Sequence, residues 1–176
     1  MNKSIRVAIL IEEQYQDLEV WYPLLRLKEE GFEVVTVEPN GRKEYKGKFG
    51  YPITVDRSIN EVSARDFDGV VIPGGWAPDK LRLSKKVLQF VKELFDAGKV
   101  VASICHGGWV LASAGICKGK TLTSYIAIKD DLVNAGAKFV DQEVVRDGNL
   151  ITSRMPSDLP AFCREIIHQL SQRVER

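Results

Sequence analysis

A cysteine and a histidine stand side by side in the run Val100-Val101-Ala102-Ser103-Ile104-Cys105-His106-Gly107-Gly108, after a β-branched stretch and just before residues that read as a helix. A thiol held on a tight strand-to-helix turn is a nucleophile, and an adjacent imidazole can serve as its base if the turn brings the ring near the sulfur. Such a turn strains the nucleophile's backbone and crowds its flanks, so the residues two positions to either side must be small. Ser103 and Gly107 meet that demand. The turn would also aim the amides opening the helix at the space above the sulfur, where they and the helix dipole stabilise a thiolate and a developing oxyanion. A buried structural cysteine ahead of a Gly-rich loop fits the same residues, so the local pattern leaves both readings open.

The other chemistry-bearing residues narrow the choice. His168, the second of two histidines, sits in a helical stretch whose core stripe is Phe162, Cys163, Ile166, Ile167 and Leu170, and a solvated helix face explains it. His106 is then the sole imidazole base. Glu19 reads by itself as a first-turn carboxylate complementing a helix dipole. Cys117 and Cys163 read as structural. The segment Ala114-Gly115-Ile116-Cys117-Lys118-Gly119-Lys120-Thr121 has the outline of a phosphate loop, but alanine replaces the first glycine and the segment follows a helix, so its context is missing. No G-x-G-x-x-G spacing occurs, and two histidines with three scattered cysteines offer no zinc-ligand spacing. The chemistry is expected to need no metal and no cofactor.

The elements that must position Cys105 alternate between strand and helix. Val7 to Ile11 is a short β run, after which Leu18, Trp21, Tyr22 and Leu25 recur at helical spacing until Glu29-Glu30-Gly31 closes the segment. Glu33 to Val37 reads as a strand, residues 41–56 as a short β excursion, and Gly69 to Ile72 as a core strand broken by Pro73-Gly74-Gly75. Val87, Phe90, Val91, Leu94 and Phe95 mark an amphipathic helix ending at Gly98, followed by a strand over Val100 to Ile104. Beyond a helix starting near Gly108 come Thr121-Leu122, a helical Ile128 to Ala135, strand-like pieces at Phe139 to Val145 and Leu150 to Ser153, and a terminal helix from Leu159. This order implies an α/β fold with a single doubly wound, mostly parallel sheet flanked by helices. Sites in such sheets lie beyond the carboxyl ends of the strands, here Glu12-Glu13, Pro73-Gly74-Gly75 and Cys105-His106.

Length and composition fit one domain over residues 1–176. Twenty-five basic against 24 acidic side chains leave a net charge of +1, with no electrostatic footprint for nucleic acid. No apolar run approaches the ~20 residues needed to span a bilayer, and no membrane surface is indicated. Three widely spaced cysteines argue against a disulfide framework and for a reducing compartment, so a cytoplasmic location is expected.

Read together, the motifs resemble the PfpI-type intracellular proteases, part of the superfamily that includes the parkinsonism-associated deglycase and class I glutamine-amidotransferase-like domains. The resemblance spans nearly the whole chain. It rests on Asp17-Leu18-Glu19 with Tyr22-Pro23 and Arg26-Leu27-Lys28-Glu29-Glu30-Gly31, Phe67-Asp68 leading to Pro73-Gly74-Gly75, Ala77-Pro78-Asp79, Ala102-Ser103-Ile104-Cys105-His106-Gly107, Asn134-Ala135-Gly136-Ala137, Asp141-Gln142-Glu143-Val144-Val145, and Thr152-Ser153-Arg154 with Asp158-Leu159-Pro160-Ala161-Phe162. It implies a flavodoxin-like sheet with a nucleophile elbow. It also implies that Cys105 is the nucleophile with His106 beside it, that Glu19 lies against the thiol, and that the Gly75 and His106 amides form an oxyanion hole. Asp79 matches an acidic position that reaches the histidine of an adjacent subunit, which implies a homo-oligomer, dimeric or hexameric. Tyr125 and Arg154 match positions near the site. Trp76 and Trp109 depart from the family pattern, and either indole would narrow the pocket or add an apolar wall.

The activities attributed to that family include peptide hydrolysis, glutathione-independent conversion of 2-oxoaldehydes to hydroxy acids, and removal of early glycation adducts. The leading expectation is a cofactor-free, stress-protective cysteine enzyme acting on a small-molecule aldehyde. Peptidase action on a peptide substrate is the enzymatic alternative, and redox sensing or chaperone-like protection without turnover is the alternative of another class.

Overall fold

β-Branched runs bounded by glycine, proline or polar residues become strands, and the apolar-periodic stretches between them become helices. In the computed structural model, which describes residues 4–174, the chain runs β1 (Arg6–Leu10), α1 (Asp17–Glu29), β2 (Glu33–Glu38), β3 (Glu44–Lys46), β4 (Pro52–Thr54), β5 (Arg57–Ser58) and β6 (Gly69–Ile72). It continues through α2 (Ala77–Leu81), α3 (Lys85–Asp96), β7 (Val100–Ile104), α4 (Gly108–Ser113), β8 (Thr121–Leu122), α5 (Lys129–Asn134), β9 (Lys138–Phe139), β10 (Val145–Asp147), β11 (Leu150–Ser153) and α6 (Leu159–Val174).

Seven strands form one sheet in the order β10-β11-β7-β6-β1-β2-β5. All its pairings are parallel except β10 with β11. The doubly wound, mostly parallel architecture expected from the alternation is therefore the fold. β1, β6 and β7 lie at its centre, and Ile9, Val71 and Ala102 are fully buried there, as strands covered on both faces require. Because β1 pairs with β2 on one side and β6 on the other, the winding reverses between them. The crevice past the carboxyl ends of β1 and β6 is the switch point at which ligands bind in open α/β sheets. α3 packs Val87, Phe90, Val91 and Leu94 inward behind a Ser84 N-cap, and the chain leaves it through Gly98 at φ +69°.

The helical spacing of Leu18, Trp21, Tyr22 and Leu25 does mark α1, but its core face is Val20, Pro23, Leu24 and Leu27, with Trp21 partly buried against the core and Leu18, Tyr22 and Leu25 56%, 36% and 59% exposed. The helix carries apolar residues on two faces, and only the sheet decides which face turns inward. One expectation is corrected: the strand-like piece over Phe139 to Val145 is two separate strands. β9 pairs with β8 in its own small sheet, and β10 forms a hairpin with β11 across Gly148 at φ +62°. Asp141, Gln142 and Glu143 between them are exposed, as charged residues off the sheet should be. The β excursion over residues 41–56 is the antiparallel β3–β4 hairpin, outside the main sheet. Among the described residues no helix is long and apolar enough to cross a membrane.

Candidate active site

β7 delivers Cys105 to the switch-point crevice and the chain turns sharply there. Cys105 has φ +58°, a left-handed conformation that costs a non-glycine residue about 1–3 kcal/mol and persists only where the surroundings enforce it. The Cys105 carbonyl accepts a hydrogen bond from the Tyr125 N–H at 3.3 Å. On the other side of the turn, a Cβ on Gly107 would stand 2.8 Å from Ser103 Oγ and 2.7 Å from the Ile72 carbonyl oxygen. The two small flanking residues therefore touch each other, which is the steric reason the turn needs them.

Glu19 reaches the thiol from α1 across the end of β6. The Gly74 N–H donates to Glu19 Oε2 at 2.7 Å. A Cβ on Gly74 would lie 2.6 Å from that oxygen and 2.9 Å from Cys105 Sγ, so the carboxyl and the thiol meet over a position only glycine can occupy. Gly75, at φ +71°, is held by an isolated bridge to Tyr15, by Gln16 N–H donating to the Gly74 carbonyl, and by Trp76 N–H donating to the Gln14 carbonyl. Its own N–H and that of His106 point at Cys105 Sγ. Two backbone donors thus face the sulfur, where they stabilise negative charge on a thiolate.

The charges in this crevice are set by burial. Glu19 is fully buried, and loss of water pushes its pKa up to about 7 against the opposing pull of the Gly74 N–H, Cys105 and Lys48. Its Oε1 has no hydrogen-bond partner, so a proton there has an unclaimed site. Burial also raises the Cys105 pKa, the Glu19 charge raises it further, and the His106 and Gly75 N–H groups pull it down. Protonating Glu19 removes that repulsion. Burial and the Lys48 charge lower the pKa of His106, leaving a neutral imidazole at pH 7 whose Nδ1 lies 3.3 Å from Cys105 Sγ. The elbow therefore does bring adjacent side chains together. The imidazole is stacked on Tyr125 at 5.0 Å and meets the edge of Trp109 at 5.1 Å.

A cavity of about 220 Å³ opens over the thiol, lined by Glu19, Gly75, Cys105 and His106 together with Trp76 and Tyr125. Trp109 and Arg154 are not on its wall. The Trp109 indole N–H donates to Asp131 at 2.8 Å, and the Arg154 guanidinium is held by Asp158 and Asp141. Asp79 is exposed on α2, and its carboxylate pairs with no described residue. His168 lies on the outer face of α6 against Gln172, and Cys117 and Cys163 are buried away from the cavity. No cluster of three or more metal-ligating side chains occurs among the described residues.

Sequence reasoning missed the steric role of Gly74 and the cavity residues Lys48, Phe49, Gln16, Met155 and Pro156. Gly74 was legible in the Gly74-Gly75 pair at the end of a core strand. Lys48 and Phe49 carry no local signal, because they are brought in by the β3–β4 hairpin loop. The Asp17 carboxylate accepts from the Phe49 and Tyr51 N–H groups, and the Lys48 N–H donates to the Tyr15 carbonyl.

This geometry agrees with comparison to known proteins. Residues 5–169 match the DJ-1/PfpI family. A Pyrococcus abyssi protein named as a deglycase is 49% identical over 166 residues, covering 94% of this chain and 99% of its own length. An Escherichia coli protein named protein/nucleic acid deglycase 2 is 43% identical over 169 residues, covering 95% and 98%. The crystal structure of Drosophila melanogaster DJ-1beta superposes with a TM-score of 0.90 at 32% identity, covering 98% of this chain and 95% of that one. With the match running through the elbow, the glycine pair and nearly the full length of its relatives, the chain belongs to the DJ-1/PfpI family.

Proposed function

We propose that the chain is a cofactor-free, cysteine-dependent enzyme acting on 2-oxoaldehydes, with Cys105 as nucleophile. The observation that carries this reading is a thiol on a strained elbow with two N–H groups aimed at its sulfur, a neutral imidazole 3.3 Å away, and a buried carboxyl of raised pKa alongside. The small cavity suits a small aldehyde better than a folded polypeptide. The deglycase names of the relatives support chemistry on carbonyl adducts and a stress-protective role.

In this reading His106 Nδ1 takes the thiol proton as Sγ adds to the aldehyde carbon, and the Gly75 and His106 amides hold the resulting alkoxide. His106 or Glu19 then moves the proton from the aldehyde carbon to the ketone carbon. The former aldehyde carbon becomes a thioester and the ketone becomes an alcohol. Water releases the hydroxy acid and restores the thiol, so one water is consumed and no external oxidant is needed. Asp79 is proposed to act across a subunit contact in a homo-oligomer.

The test is glutathione-free methylglyoxal consumption with chiral detection of lactate, comparing the native protein with Cys105→Ala. Turnover in the native protein and loss in the variant is expected. No turnover by the folded native protein would overturn the reading, and hydrolysis of peptide substrates would then be measured.

A further inference from the structure

The charges lining the Cys105 cavity are unequal. Glu19, His106 and Lys48 are the titratable side chains on the wall besides the thiol and Tyr125. Glu19 is buried and His106 is ringed by aromatic side chains, whereas Lys48 is exposed and forms no ion pair with any described carboxylate. Its position is fixed from several sides. The Lys48 N–H donates to the Tyr15 carbonyl at 2.7 Å, and the Gly47 N–H donates to the Tyr51 carbonyl. The next residue, Phe49, is tied to Asp17 at the start of α1 at 2.9 Å. Gly47 itself lies so close to the Asp17 carboxylate that a Cβ there would overlap it. The backbone of this hairpin loop is thus anchored, and it places Lys48 on the wall of the cavity that holds the nucleophile, with its ammonium 5.7 Å from the centroid of the Phe49 ring.

We propose that Lys48 is a specificity-determining residue that makes the cavity prefer carbonyl substrates carrying an anionic group, a carboxylate or phosphate, on the chain beyond the reacting carbonyl. The carbonyl part of this statement rests on the function proposed above, while the anion preference stands on the placement of Lys48. The ammonium of lysine is a point charge that attracts either anion, and because Lys48 is exposed that attraction is modest and screened by salt. The charge of Lys48 is also felt at Glu19 and at His106, so its field reaches the reacting groups.

The first experiment does not depend on turnover. Alkylation of Cys105 by iodoacetate, which is anionic, is compared with alkylation by iodoacetamide, its neutral near-isostere, with the modified cysteine identified by mass spectrometry. In each reaction the sulfur displaces iodide and forms a thioether. Both reagents attack the same thiolate, so the ratio of their rates cancels any effect of a substitution on the thiolate fraction. The ratio is expected to fall about fivefold in Lys48→Met, to be restored in Lys48→Arg, and to fall in the native protein as salt is raised from about 0.01 to 1 M and the Debye length shrinks from ~30 to ~3 Å. An unchanged ratio in Lys48→Met, or one indifferent to salt, would overturn the proposal even if methylglyoxal is consumed.

A second experiment reads turnover of 4,5-dioxopentanoate, a 2-oxoaldehyde with a distal carboxylate, to 2-hydroxyglutarate. The aldehyde carbon is oxidised to a carboxylate and the ketone carbon reduced to an alcohol, with uptake of one water. The ratio of its kcat/KM to that of methylglyoxal is expected to fall about fivefold in Lys48→Met, mostly through KM, and an unchanged ratio would contradict the proposal. Absence of turnover with either aldehyde would defeat the proposed function, and the alkylation ratio would still decide the role of Lys48.

Discussion

Replacing Glu19 with glutamine should change how the stability of the protein depends on pH, and the size of the change follows from the burial of this one carboxyl. In the fold its pKa rises from an ordinary 4.5 to about 7. At about 1.4 kcal/mol per tenfold change in the ionisation constant, the difference between folded and unfolded chain amounts to about 3 kcal/mol at most. Below pH 4.5 both states carry the proton and the carboxyl makes no difference. Between pH 4.5 and 7 the unfolded chain releases the proton while the folded chain keeps it, so the folded state loses stability as pH rises. Above pH 7 both are ionised and the loss is complete. Glutamine cannot ionise, yet its carbonyl can still accept from the Gly74 N–H. The assay is urea unfolding of both proteins at fixed concentration between pH 4.5 and 8. Titration of the other groups is common to both and cancels in the difference. The native protein should lose up to about 3 kcal/mol relative to Glu19→Gln across that range. Parallel pH profiles would show that Glu19 is not a buried acid of raised pKa, and would remove the protonated carboxyl from the mechanism.

Two further outcomes are expected. Gly107→Ala should cost about 1–3 kcal/mol in urea unfolding and abolish aldehyde turnover, because the added Cβ meets the Ile72 carbonyl at 2.7 Å as well as Ser103 Oγ at 2.8 Å. Adding Ser103→Ala should recover less than half of that loss, since the strand carbonyl cannot move, and full recovery would refute the steric account of the elbow. Sedimentation velocity at micromolar concentration should find an oligomer that Asp79→Ala weakens, and a monomeric native protein would exclude the shared-site role of Asp79.

Much of this protein is decided locally. The runs at Val7, Gly69 and Val100 are apolar and largely β-branched, too short for buried helices and bounded by turn residues, so they become the central strands. The elbow is also written in the chain, because only small residues at 103 and 107 allow the turn at Cys105 to close. Periodicity alone did not orient α1, whose residues Leu18, Tyr22 and Leu25 have helical spacing yet face outward, since a helix with two apolar faces takes its orientation from the sheet it packs on. The positions of Trp109 and Arg154 were settled by Asp131, Asp141 and Asp158, which draw their polar groups away from the cavity wall.

The residue types that can do chemistry, and the strand-to-helix turn that exposes one of them, were therefore determined by the sequence itself, because sterics and hydrophobic period act over a few residues. The raised pKa of Glu19, the meeting of its carboxyl with the thiol over Gly74, and the arrival of Lys48 from a hairpin some 57 residues before the nucleophile were decided only by the tertiary structure. Burial and electrostatics depend on which distant segments exclude water from one crevice, and that is a property of the packed sheet, helix and loop together.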